Sequence, residues 1–104
     1  MIGQWSGLVC RHANLAGAWL EGARLDRADF TDADLRQARL DGARLTNAAL
    51  RSAHLQAASL RGADLSGADL TNAGLDGADL TNVKADDRTA WPAGFDAASL
   101  TARR

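Results

Sequence analysis

The chain has 104 residues, with 12 Lys and Arg against 13 Asp and Glu. This length fits one small domain, with no room for a catalytic domain beside a regulatory one, and the near-zero net charge gives no overall pull toward nucleic acid or an anionic membrane. Apolar residues make up 46% of the chain, mostly Ala and Leu, and a single Cys rules out an internal disulfide framework.

Residues 1–12 read as an N-terminal cap and an irregular first unit. They lack the basic segment and apolar stretch of a secretory signal, and no run of about 18 apolar residues follows anywhere, so a cytoplasmic domain without a membrane span is expected. Ile2, Trp5 and Leu8 are the apolar residues available to cover the first edge of the fold.

From Ala13 a period of five takes over. Ala recurs at every fifth position from 13 to 78, and two residues after each Ala stands a large apolar residue, Leu15, Leu20, Leu25, Phe30 and onward to Leu80. Phe30 is the one departure from Leu in fourteen units. A looser register places Leu8 and Cys10 in the same two slots upstream, and Val83 and Ala85 downstream. On an α-helix five residues turn through about 500°, so these side chains would smear around the cylinder instead of forming a stripe. A long flat strand fails as well, because its side chains alternate with period two and five is odd. The remaining solution is a coil of short extended segments, each with Ala and the large residue facing inward, joined by corners. Gly17, Gly22, Gly42, Gly62, Gly67 and Gly77 fall two residues after the central Leu, and Asn47, Asn72 and Asn82 share that slot. Both residue types accept the positive φ that tight corners require.

Ala-Asp-Leu-Ser-Gly at 63–67 and Ala-Asp-Leu-Thr-Asn at 68–72 and again at 78–82 resemble the pentapeptide-repeat family, whose consensus is A-(D/N)-L-x-x. Residues 89–96 resemble a T-x-W-P-x-G-F-D segment that often follows such repeats. The resemblance implies an all-β fold, a right-handed quadrilateral parallel β-helix with four units per coil. The repeat region is then 13–87, about four coils, followed by a C-terminal cap and tail at 88–104. Four rungs at the β spacing give a tower about 19 Å tall. Residues twenty apart should stack, as in Leu15–Leu35–Leu55–Leu75 and Leu20–Leu40–Leu60–Leu80. Trp91, Phe95 and Leu100 are the candidates to close the C-terminal end, Pro92 stops pairing there, and 97–104 is read as a short helical turn or a frayed tail. A dimer interface through one end is the sharper reading of the end aromatics, so a monomer or an end-to-end homodimer is expected.

The outer walls carry the remaining signals. Residues 1–61 hold a net charge of +2 and residues 62–104 a net charge of −3. The twenty-residue register sets Arg44 over Asp64, Asp64 over Lys84 and Asp41 over Arg61 as exposed pairs. It also sets Arg39 against Trp19, the one large aromatic expected on the outer wall, so Trp19, Arg24, Arg39 and Arg44 form a candidate partner surface. The search for chemistry is negative. Cys10 reads as an inert core thiol, His12 and His54 lie far apart, His54 stacks near Asp34, and Asp86-Asp87 reads as a solvated pair ending the repeats. No nucleophile, phosphate-loop or zinc motif occurs, so no catalytic residue, metal or cofactor is expected.

A non-catalytic protein-interaction module or scaffold with an unidentified protein partner is the expectation. The alternative, implied by the resemblance, is a DNA-mimicking inhibitor or protector of a type II topoisomerase such as DNA gyrase. Its candidate acidic surface is Asp64, Asp69, Asp76, Asp79, Asp86 and Asp87. The net charge of −1 falls far short of the roughly eleven charges carried by 19 Å of duplex. Direct nucleic-acid binding is not expected, because the Arg residues alternate with acids and lack a stacking platform.

Overall fold

A computed structural model describes residues 4–96; Ile2, Leu100 and the expected turn at 97–104 lie outside the described residues. The local unit is a β-turn. In each pentapeptide the carbonyl of the large apolar residue accepts the N–H of the Ala-slot residue three positions on, at 2.9–3.2 Å from Trp5–Leu8 through Leu80–Val83. The third residue of each turn has φ between 58° and 75° at sixteen successive corners, 7 through 82, the sign a type II turn has there. Glycine occupies seven of these corners. His12, Arg27, Asp32, Gln37, Ser52 and Ala57 occupy six others, which composition alone did not flag, because the turn is imposed by the coil around it.

Between turns the chain makes one-residue β-bridges, all parallel, each joining residue i to i+20 from Gln4–Arg24 to Asp64–Lys84. Four ladders result. One runs Gln4–Arg24–Arg44–Asp64–Lys84, the next Val9–Asp29–Ala49–Asp69–Ala90, the third Asn14–Asp34–His54–Gly74 and the fourth Trp19–Arg39–Ser59–Asp79. Backbone bonds between successive coils measure 2.7–3.0 Å. The molecule is therefore an all-β solenoid, and its extents of 31 × 23 × 23 Å give it two equal transverse dimensions.

The interior is a column of Leu with Ala beside it. Leu25, Leu35, Leu40, Leu45, Leu50, Leu55, Leu60, Leu65 and Leu70 are fully buried, as are the Ala residues from Ala23 to Ala68. Phe30 fits because it shares its column with Cys10, a much smaller side chain in the slot below. The expected Leu ladders hold at mid-tower and loosen at their ends, where Leu15, Leu20 and Leu75 are only half-buried.

The register slips once. Asp69 pairs with Ala90, an offset of 21, so one extra residue lies between Lys84 and Ala90. Val83 is buried but Ala85, expected to face inward, is exposed. Two side chains replace the lost backbone geometry. Asp86 Oδ1 accepts the Gly67 N–H, which in earlier coils goes to a carbonyl. Thr89 takes the buried slot of an Ala, donates its hydroxyl to the Leu65 carbonyl at 2.9 Å and accepts the Asp86 N–H at 3.0 Å. Trp91 then packs on the core, stacked with Phe95 at 4.7 Å, and this pair closes the C-terminal end.

Leu40→Asp places a carboxylate where no water or partner reaches, at a cost comparable to the whole stability of a small domain; far-UV circular dichroism should show an unfolded chain, and a cooperative melt like wild type would refute the register. At the corners the expectation is opposite in sign for two substitutions. Ala57→Gly relieves a left-handed alanine and should raise stability by about 1 kcal/mol, whereas Gly42→Ala, where an added Cβ meets nothing within 4 Å, should lower it by about 1 kcal/mol through the backbone alone. Urea unfolding of the two variants reads both.

Candidate functional site

The outward position before the central Leu is most often Asp, and its first task is local. Asp29, Asp34, Asp64, Asp69 and Asp79 each turn Oδ1 forward to accept the backbone N–H two residues on, at 3.0–3.1 Å, and Asp86 does the same at 3.0 Å in the slipped segment. Where that second residue is Thr, at 31, 71 and 81, its hydroxyl donates to the same oxygen at 2.6 Å. The carboxylate thus caps its own corner.

This lean decides the ion pairs. A carboxylate tilted two residues forward lies over residue i−18 of the coil below, not over i−20. The inter-coil Arg–Asp pairs follow it: Arg11–Asp29 at 3.8 Å, Arg51–Asp69 at 3.1 Å and Arg61–Asp79 at 3.4 Å. Arg44, in the same position before a Leu, leans likewise and meets Asp26 at 3.4 Å, and Asp26 also accepts the Thr46 hydroxyl. The expected pairs Arg44–Asp64, Asp64–Lys84 and Asp41–Arg61 do not form among the described residues. Arg61 goes to Asp79 instead, and Asp41 Oδ1 is left without a hydrogen-bond partner.

The carboxyls respond as capped acids should. The Arg36 guanidinium, hydrogen-bonded at 2.7–2.9 Å, and the Arg36 N–H hold Asp34 down at about 2. Thr hydroxyls are the first cause lowering Asp26, Asp29, Asp69 and Asp79. At Asp86 desolvation pushes upward, and the Gly67 N–H with Arg88 outweighs it. Cys10 is raised by burial and by the Asp29 charge, which disfavours the reactive thiolate.

The candidate partner surface is brought together in part. Arg39 stands 5.1 Å over the Trp19 ring on one wall, as the register requires. Arg24 and Arg44 are neighbours on the adjacent wall, around the Glu21-Gly22 corner. Arg44 is neutralised by Asp26, whereas Arg24 makes no ion pair among the described residues. The candidate acidic surface is dispersed. Asp64, Asp69 and Asp79 lie on three different ladders, and Asp69, Asp79 and Asp86 are paired with Arg51, Arg61 and Arg88. His54 stacks on Asp34 and His12 lies 3.7 Å from Asp32. Among the described residues no group of three or more His, Cys, Asp or Glu is placed to hold a metal ion, and no helix is long and apolar enough to cross a membrane.

The family described as pentapeptide repeats matches residues 9–47 and 48–84, in eight copies. Alr5209, a pentapeptide repeat protein from Nostoc PCC 7120, is 38% identical and superposes with a TM-score of 0.91 over 93% of this chain and 80% of its own. A pentapeptide repeat protein of the Arabidopsis thaliana thylakoid lumen is 34% identical, with a TM-score of 0.65 over 80% of this chain and 61% of its own. No curated protein matches the chain.

Six depressed carboxyls set the acid limit. A carboxyl lowered on folding contributes stability that is complete above its ordinary value near 4 and is lost as pH falls through its folded value. The urea midpoint should therefore stay flat from pH 7 to 5 and fall between about pH 4 and 2. Asp34→Asn should flatten the lowest part of that fall.

Proposed function

The chain belongs to the pentapeptide-repeat family, and from that premise we propose that it is a non-catalytic protein-interaction module of the cytoplasm, wound right-handed as parallel crossovers nearly always are. The observation that carries this reading is the wall around the Glu21-Gly22 corner. Trp19 is 72% exposed, held in place by Arg39, beside an Arg24 that makes no ion pair among the described residues. Exposed Trp and Arg on a rigid frame are the residue types that concentrate binding energy in protein interfaces. The interior favours a non-catalytic role, because Leu and Ala fill it among the described residues. A DNA-like surface is less well supported, since the acids are spread over three ladders and half of them are neutralised by Arg.

Two measurements test the reading. Protein immobilised as wild type, Trp19→Ala and Arg24→Glu is challenged with a cell extract. The expected result is a specific protein retained by wild type and lost from both variants, with melting temperatures within a few degrees of one another; identical recovery on all three removes this surface. In a gyrase supercoiling assay a large molar excess should leave the rate unchanged with or without a quinolone. Inhibition reversed by neutralising Asp64 and Asp76 would transfer the function to the acidic half.

A further inference from the structure

The two ends of the solenoid are not alike. The C-terminal end is closed by Trp91 and Phe95. At the N-terminal end Trp5, Leu8, Cys10, Leu15, Leu20 and Phe30 line an open apolar depression of about 260 Å³. The exposed large hydrophobic residues of the described chain are Trp5 at 38%, Leu8 at 38%, Val9 at 69% and Trp19 at 72%, all in this first coil. The same coil, residues 4–23, carries one Arg and one Glu, whereas residues 24–43 carry nine charged side chains. Its lower edge is also unpaired: among the described residues the N–H and C=O groups of Val9, Asn14 and Trp19 have no backbone partner. An apolar face rimmed by open β-edge is a template for another chain.

We infer that this face is an interface between two copies of the chain, joined N-terminal end to N-terminal end. Three observations select a second copy. First, Trp91 and Phe95 cover apolar side chains at the C-terminal end, whereas the apolar face of the first coil is uncovered among the described residues, so an isologous pair buries both copies of that face and stops at two. Second, a 23 × 23 Å cross-section offers about 500 Å² per copy, so a pair buries about 1,000 Å², the lower bound for a specific interface. Third, the two charges of the first coil are matched. Arg11 and Glu21 stand in corners two turns apart, which are diagonally opposite on a four-ladder coil. A two-fold axis through the other two corners, Ser6-Gly7 and Ala16-Gly17, sets Arg11 against Glu21 of the partner subunit, twice. That operation reverses the sense of winding, so the facing edges meet antiparallel, a pairing open strands accept. Arg11 also reaches Asp29 of its own chain, but only at 3.8 Å and with most of its side chain in water, which leaves it able to pair across the rim. This interface does not depend on what binds the Trp19–Arg39 wall above it.

Sedimentation equilibrium of the full chain over about 1 μM to 1 mM tests the inference. A reversible monomer–dimer equilibrium in the micromolar range is expected from an interface of this size. Val9→Lys, whose side chain lies outside the core, should weaken it at least tenfold with the melting temperature of the dilute monomer unchanged, and Ala93→Lys at the C-terminal end should not change it. Glu21→Arg should weaken it by roughly tenfold at low salt, and the double swap Arg11→Glu with Glu21→Arg should restore it to within about twofold. Amide exchange at Val9, Asn14 and Trp19 should slow as concentration rises. A monomer at every concentration overturns the inference, and protection of those amides in that monomer would assign the edge to the chain's own first three residues. A dimer lost with Ala93→Lys but kept with Val9→Lys overturns it equally, by placing the contact at the other end.

Discussion

Everything in this molecule depends on the corner. The hydrogen bond from the Ala-slot N–H to the carbonyl three residues earlier closes a turn of fixed length, and the residue before that N–H is held at positive φ. Because every corner is the same, four corners return the chain to its starting point after twenty residues. The core and the rows of side chains on the walls then follow by repetition. The cost is local, a left-handed backbone at nine residues that are not glycine. The gain is collective, since each coil adds a buried layer of Leu and Ala and a full set of inter-coil bonds.

The same repetition explains the charge pattern. A carboxylate in the slot before Leu is drawn forward by its own corner, so it is already partly satisfied before any cation approaches. Its second oxygen remains available, displaced by two residues toward the coil below. Arg side chains at 11, 51 and 61 stand in that place. The ion pairs are thus a consequence of capping, and capping is why Asp and Asn recur in the repeat consensus. The depressed carboxyls report corner geometry, and they carry no implication of acid–base chemistry on the walls.

Irregularity is confined to the ends, where repetition has to stop. At the C-terminal end one extra residue is absorbed by Asp86 and Thr89, whose side chains supply the bonds a carbonyl and an Ala slot would otherwise provide, and Trp91 with Phe95 covers the last Leu layer. The first coil has no matching device among the described residues; it is poor in charge and rich in exposed apolar surface. A solenoid whose ends differ in this way has a direction in its chemistry as well as in its chain. The features that distinguish this protein from a bare tower, Trp19 and the open apolar face, lie toward the open end.

The amino-acid sequence by itself determined the architecture of the interior. An Ala and a Leu two residues apart, repeated every five, excludes helix and flat strand on periodicity alone, and the twenty-residue stacking of Trp19 on Arg39 follows once four units make a coil. It also marked the glycine and asparagine corners. Three things were settled only by tertiary structure. The left-handed corners at Arg27, Gln37 and Ala57 are imposed by coils above and below, against the preference of those residues. The Arg–Asp pairs between coils fall eighteen apart because a side chain's lean depends on the hydrogen bond it makes, which spacing along the chain does not reveal. The exposure of Ala85 and the roles of Asp86 and Thr89 depend on a one-residue slip that is visible only when a layer is laid on the one beneath it. Periodic burial is written in composition and spacing; the direction a polar side chain takes at the surface is decided by its neighbours in space.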